Sequence, residues 1–200
     1  MRLDKRREVR TDIARMGRKQ SMLRLVIGGS ASGKSEYAEQ LILSLSEGET
    51  VDYIATMKCS DEELEKRIEI HKERREGTAF HTIEKPDKLS ELDTSGLHEY
   101  GMLECVSNLL ANEMFSGWND EAVTEADEDE LAECLAKELI TLSKHYKEFV
   151  IVTNDIFEDS IVFDEVTKKY VRQLGRINRL LTEEAESVTE VVCGIPVRIK

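Results

Sequence analysis

Short apolar stretches alternate with longer, mostly polar segments along this chain. Leu23 to Ile27, Val51 to Ala55, Gly101 to Leu103, Phe149 to Thr153 and Val188 to Val192 are apolar runs too short for helices, and each predicts a buried strand. Ile195 to Ile199 is a candidate sixth. The intervening segments carry helical spacing. One helix follows Ser35, with Tyr37, Leu41 and Leu43 among its apolar positions; others are predicted over Asp61 to Arg75, Glu130 to Lys147 and Glu165 to Glu184. Residues 116–130 (SGWNDEAVTEADEDE) are acidic and loop-like, a solvated insertion before the third of these helices. Strand and helix in alternation predict an α/β fold, a mainly parallel sheet with flanking helices. No internal repeat interrupts the alternation, and the prolines are only Pro86 and Pro196.

Length and charge refine this picture. A chain of 200 residues makes one domain with at most a small appendage. The division expected is a basic extension over residues 1–21 and a single domain over 22–200. The net charge is −13, but residues 1–20 hold eight Lys and Arg against three acids, so the remainder carries −18. A body this acidic is a poor general nucleic-acid binder. The basic segment lacks the apolar stretch of a secretory signal. A nucleic-acid arm, a self-docking tail and a translated leader before Met22 all stay open for it, and no catalytic part is expected of it. No run of about 18 apolar residues occurs, so no membrane association is expected. Cys59, Cys105, Cys134 and Cys193 have neither C-x-x-C nor metal-ligand spacing, which reads as reduced thiols in a cytoplasmic protein.

The chemistry begins where the first strand ends. Gly28-Gly29-Ser30-Ala31-Ser32-Gly33-Lys34-Ser35 fits G-x-x-x-x-G-K-[ST] in full, between an apolar strand and a helix. Glycines let successive N–H groups turn into one concavity, and the helix start adds its positive end. A lysine here reaches the outer phosphates, and the serine hydroxyl is a magnesium ligand. The expected ligand is a nucleoside triphosphate with Mg²⁺. The motif alone does not give the reaction.

Open α/β sheets bind ligands beyond the carboxyl ends of their strands. Ala55-Thr56, Glu104 and Thr153-Asn154-Asp155 occupy such positions. Glu104 stands where a magnesium-organising acid belongs, although strand-end acids are common without that role. In DEELEKRIEIHKERR, Arg67, His71 and Arg74 or Arg75 share one helix face. Arginines hold phosphate oxygens, and a neutral imidazole between them can attack phosphorus. On residues alone, a charged surface helix with one exposed histidine explains this segment slightly better. His81, His98 and His145 lack arginine neighbours and read as surface or core histidines. Tyr100, Trp118 and Phe149 read as packing residues.

The order of these pieces resembles the bifunctional adenosylcobinamide kinase/adenosylcobinamide-phosphate guanylyltransferase family of cobalamin biosynthesis. The resemblance runs from about Leu23 to Lys200. It is carried by GGSASGKS, YIAT (53–56), RIEIHKERR, TIEKP (82–86), LEC (103–105) with Asn112, VTND (152–155), LGRIN (174–178) and VVCGIPVRIK at the C-terminus. It implies a RecA-like P-loop fold assembled as a homotrimer. It also implies phosphorylation of adenosylcobinamide by GTP or ATP, then GMP transfer from GTP through a guanylyl-histidine to adenosylcobinamide phosphate. On this chain it makes His71 the nucleophile, with Lys72, Arg74 and Arg75 adjoining it. Lys34 becomes the phosphate-binding lysine, and Ser35 and Glu104 the magnesium ligands. Ala55, Thr56 and Glu84 become guanine or ribose contacts, with a small corrinoid as acceptor.

The acceptor side departs from the family pattern. Where a glycine- and proline-bearing loop is usual after VTND, Ile156 to Phe163 reads IFEDSIVF. Val106-Ser107 replaces the usual Leu-Thr, and Glu76 replaces a proline after Arg75. A P-loop kinase of another small molecule without guanylyl transfer, and a nucleotide-binding regulatory protein, are the alternatives these departures keep open.

Overall fold

The computed structural model describes residues 21–58, 77, 79–116, 125–156 and 164–200. Along them run β1 (Met22–Gly28), α1 (Lys34–Ser46), β2 (Val51–Ala55), β3 (Phe80–Glu84), a 3₁₀ turn (Leu89–Glu91), β4 (Tyr100–Glu104), α2 (Val106–Ser116), α3 (Glu125–Ser143), β5 (Glu148–Asn154), α4 (Glu165–Glu184), β6 (Ser187–Val192) and β7 (Ile195–Arg198). The strands form one sheet in the order β3-β2-β4-β5-β1-β6-β7. All pairings are parallel except β6 with β7, which form a hairpin. This is the RecA-like P-loop arrangement, with one strand, β5, standing between the glycine loop's strand and β4.

The run FVIVT is buried at every position because β5 lies mid-sheet with both faces covered. Its side chains alternate between two apolar layers. Phe149 and Ile151 join Leu25, Ile54 and Leu103 under α2, α3 and α4. Val150 and Val152 join Val26, Tyr53 and Met102 beneath α1 through Ala38 and Ile42. Helix α4 buries Gln173, Leu174, Ile177, Asn178 and Leu181, a stripe at helical spacing, and the Asp164 carboxylate caps it by accepting from the Thr167 N–H at 2.7 Å.

The strands expected from apolar runs are all present, and β3 and α2 are additions. In β3 the segment FHTIE occupies the sheet edge, so none of its residues is fully buried and no apolar run announces it. Helix α2 begins two residues after β4 with no glycine or proline to mark the junction. Helix α3 starts and ends earlier than expected. At its end, residues 144–146 turn off it with i→i+3 bonds from Lys144, His145 and Tyr146. The helix expected over Asp61 to Arg75 and the basic extension lie outside the described residues, apart from Ser21. Among the described residues no helix is long and apolar enough to cross a membrane.

Candidate active site

The glycine loop spans the gap between β1 and α1 at the carboxyl edge of the sheet. Gly33 opens α1 with φ at 89°, the left-handed region that a glycine enters without strain, and its carbonyl accepts from the Tyr37 N–H at 3.0 Å. A Cβ at Gly28 would stand 2.6 Å from Ser32 Oγ and 2.7 Å from the Val191 carbonyl, so the loop closes this tightly only on glycine. The Gly194 N–H donates to the Ser32 carbonyl at 2.7 Å, tying the loop to the β6–β7 turn. The Asp155 N–H donates to the Gly28 carbonyl at 3.0 Å, tying it to the end of β5.

Lys34 lies buried inside this loop, its Nζ donating to the Gly29 carbonyl at 3.0 Å. Burial lowers its pKa, while the nearby Glu104 carboxylate opposes that shift. A desolvated ammonium with one backbone partner has donors left for phosphate oxygens. Ser35 Oγ donates to one Glu104 oxygen, and the Tyr53 hydroxyl donates to the other. Ser32 Oγ is buried without a hydrogen-bond partner among the described residues. The hydroxyl of Ser35 and the carboxylate of Glu104 are hard oxygen donors, which fits Mg²⁺ better than a softer ion. The loop, Lys34, Ser35 and Glu104 are therefore brought together as the spacing predicted. Tyr53 joins them unpredicted; its only sequence signal is a hydroxyl-bearing aromatic inside a buried strand.

Ala55 and Glu84 gather at a second point of the same edge. They face each other across the β2–β3 pair, and β2, β4 and β5 separate β3 from β1. At about 4.8 Å per strand spacing, this point lies roughly 15–20 Å from the glycine loop. Glu84 is exposed. Thr56 is placed differently from the ligand contact expected of it. It is fully buried, its hydroxyl donates to the Cys105 carbonyl at 2.8 Å and accepts from the Cys105 N–H at 2.7 Å. Its N–H donates to the Glu104 carbonyl at 3.0 Å, and its carbonyl accepts from Asn112 Nδ2 at 2.8 Å. With every polar group committed, Thr56 ties β2 to β4 instead of presenting a group to a ligand.

Between the two points lies a polar network at the ends of β4 and β5. Asn154 Nδ2 donates to Ser107 Oγ at 2.8 Å, and Cys105 Sγ lies 2.9 Å from that hydroxyl. The Thr153 hydroxyl donates to Asn178 Oδ1 at 2.7 Å, and the Tyr170 hydroxyl donates to the Ser107 carbonyl at 3.1 Å. Burial raises the Cys105 thiol above its ordinary range, so it is not an activated nucleophile. His71, Lys72, Arg74, Arg75 and most of the divergent stretch 156–163 lie outside the described residues.

Comparison with known proteins bears on what this edge does. A family model described as cobinamide kinase / cobinamide phosphate guanyltransferase matches residues 24–199. The "bifunctional adenosylcobalamin biosynthesis protein CobU" of Escherichia coli (strain K12) is 32% identical over 185 residues, covering 90% of this chain and all of that protein. The protein of the same description from Salmonella typhimurium is 31% identical over 189 residues, with 90% and 100% covered. The corresponding CobP of Pseudomonas aeruginosa is 30% identical over 179 residues, with 88% and 96% covered. Among solved structures, the flagellar accessory protein FlaH from Methanocaldococcus jannaschii superposes at a TM-score of 0.46 with 15% identity, over 94% of this chain and 84% of that chain.

Proposed function

Because this chain belongs to the cobinamide kinase / cobinamide phosphate guanyltransferase family, we propose that it phosphorylates adenosylcobinamide and then transfers GMP from GTP to the adenosylcobinamide phosphate. The observation that carries the nucleotide half is the bridge from Ser35 to Glu104 beside the buried Lys34. A buried ammonium beside two hard oxygen donors supports this reading, because outer phosphates and Mg²⁺ need those groups.

In the kinase step the acceptor hydroxyl oxygen attacks the γ-phosphorus, its proton is released to solvent, the bond to the β–γ bridging oxygen breaks, and nucleoside diphosphate leaves. Lys34 and the loop N–H groups hold the developing charge on the phosphate oxygens. Ser35 and Glu104 would hold Mg²⁺, which when bound would supply charge neutralisation on the phosphates. Tyr53 fixes the carboxylate of Glu104 from the opposite side.

For the guanylyl step the reading rests on family membership and on the spacing in RIEIHKERR. A neutral His71 nitrogen attacks the α-phosphorus of GTP, the bond to the β-phosphate oxygen breaks, and pyrophosphate leaves beside Lys72, Arg74 and Arg75. An oxygen of adenosylcobinamide phosphate then attacks that phosphorus, the P–N bond breaks, and His71 is restored as adenosylcobinamide-GDP departs. Ala55 and Glu84, paired across β2 and β3, are the candidate guanine or ribose contacts.

A homotrimer is the assembly we favour. Ile195, Val197 and Ile199 are exposed and share one side of the terminal strand by their spacing, with Val192 exposed nearby, an apolar edge that a second copy would cover. Cytoplasmic residence suits the biosynthetic role, and Cys105, Cys134 and Cys193 are free thiols. The test is chromatography of products from adenosylcobinamide with ATP or GTP and Mg²⁺. Adenosylcobinamide phosphate and then adenosylcobinamide-GDP are expected. Phosphate without the GDP product points to a plain kinase, and neither product points to a regulatory protein.

A further inference from the structure

At the opposite end of the strands, three side chains from three separate elements converge. Asp52 is the second residue of β2, His81 is the second of β3 directly beside it, and His98 lies in the approach to β4. Asp52 is fully buried, while the His81 and His98 side chains are 55% and 40% exposed. Nδ1 of His81 lies 3.0 Å and Nδ1 of His98 lies 2.6 Å from the same oxygen, Oδ1 of Asp52. The other oxygen accepts from the His98 backbone N–H at 2.7 Å, which fixes the carboxylate's orientation. The two rings meet edge to face, with centroids 5.4 Å apart.

We propose that Asp52, His81 and His98 form a binding site for a zinc-class divalent cation, one that staples β2, β3 and the segment entering β4.

Three observations carry this. First, one atom from each residue lies within 4.8 Å of the others. A tetrahedral zinc site, with bonds of about 2.0–2.1 Å, sets its ligands about 3.3 Å apart. The rings need to withdraw from Oδ1 by only a few tenths of an ångström to about 0.7 Å, and half-exposed imidazoles are free to do so. Second, the charge balance asks for it. The ion pairs of Asp52 among the described residues are with these two histidines alone. A buried carboxylate without a full countercharge is costly. Imidazole supplies that charge only when protonated, whereas a dication brings it permanently and takes both rings as neutral donors. Third, the site is closed inward and open outward. Tyr146 stacks flat on Phe149 with ring centroids 4.7 Å apart, and its buried hydroxyl, near Asp52, has no hydrogen-bond partner among the described residues. The ring lies over Gly101, where a Cβ would come within 2.5 Å of it. The exposed histidines leave the outer side for a water as fourth ligand.

The donor set separates this ion from the one expected at the glycine loop. Two imidazoles and one carboxylate suit zinc, and magnesium prefers oxygen alone. The full chain, stripped with a chelator, is titrated with Zn²⁺ by calorimetry and with Co²⁺ by visible absorption. Wild type is expected to take one equivalent at this site, to show the intense d–d bands of tetrahedral Co²⁺, and to melt at a higher temperature with zinc. His81→Ala and His98→Ala alter partly exposed side chains and are expected to fold. Each should weaken zinc binding at least about tenfold, since loss of even an outer-shell partner costs that much. Each should also abolish the tetrahedral Co²⁺ bands, and His145→Ala should leave all three readouts unchanged. Zinc bound equally by wild type and both variants belongs elsewhere on the chain and overturns the proposal. So does a wild type that takes up none, in which case the three residues are a hydrogen-bonded cluster only.

Discussion

Strand β2 serves two different ends of the molecule with two adjacent residues. Tyr53 turns to the face beneath α1 and reaches Glu104 at the phosphate edge. Asp52 turns to the other face and collects His81 and His98 near the amino edge. At the phosphate edge the polar groups are oxygens around one buried ammonium, suited to a phosphate and a hard cation. At the amino edge they are a carboxylate and two ring nitrogens, suited to a softer one. The difference teaches that the pleat of a single strand assigns neighbouring residues to separate chemistries, so proximity in sequence says little about shared purpose.

Breaking the phosphate edge should produce the largest effects. Lys34→Ala removes the one buried ammonium of the loop and should lower kinase turnover about a hundredfold or more, with weaker nucleotide binding by calorimetry and an unchanged circular-dichroism spectrum. Glu104→Gln keeps the shape but removes the charge. It should cost about ten- to a hundredfold in turnover and raise the Mg²⁺ concentration needed for half-maximal rate, a response that separates it from Lys34→Ala.

Gly33→Ala tests the backbone instead of the chemistry. With φ at 89° and Gly194 Cα 3.3 Å from the added carbon, it should destabilise the fold by about 1–2 kcal/mol in urea denaturation and weaken nucleotide binding in parallel. Tyr53→Phe should have the smallest effect, about 0.5–1.5 kcal/mol or tenfold at most in turnover, because Ser35 still holds Glu104. None of these changes should alter metal binding at Asp52, His81 and His98. If they do, the two ends are coupled and the comparison fails.

The sign of the Lys34 shift gives a pH test. Burial lowers its folded pKa, so between that value and the unfolded lysine value of about 10.4 the unfolded chain binds more protons. In that window Lys34 makes stability rise with pH. Phosphate binding, which needs the protonated form, should fall over the same window in the free protein. Lys34→Arg should remove this alkaline decline.

The two ends also differ in how far they were legible beforehand. The phosphate edge was readable because its parts are contiguous: a strand, GGSASGKS and a helix within one stretch, with Glu104 placed by the rule that ligands sit beyond strand ends. Tyr53 was missed because a tyrosine in an apolar run looks like packing. Thr56 was expected to face a ligand, but the pairing of β2 with β4 turns all its polar groups inward. The amino-edge cluster had no local signature. His81 and His98 come from elements far from Asp52 along the chain, and β3, which aligns His81 with it, was too polar to read as a strand. His81 and His98 read as surface or core histidines without arginine neighbours, and the fold brings them together at Asp52.

The central claim is guanylyl transfer through His71, and one measurement meets it directly. The purified chain is incubated with GTP labelled at the α-phosphate and Mg²⁺, denatured, treated with acid and with base, and mapped by peptide. The account predicts an acid-labile, base-stable label on the peptide carrying His71, absent from His71→Ala even though that variant still binds GTP. A folded, GTP-binding wild type without covalent label, or an equal label on His71→Ala, would contradict it.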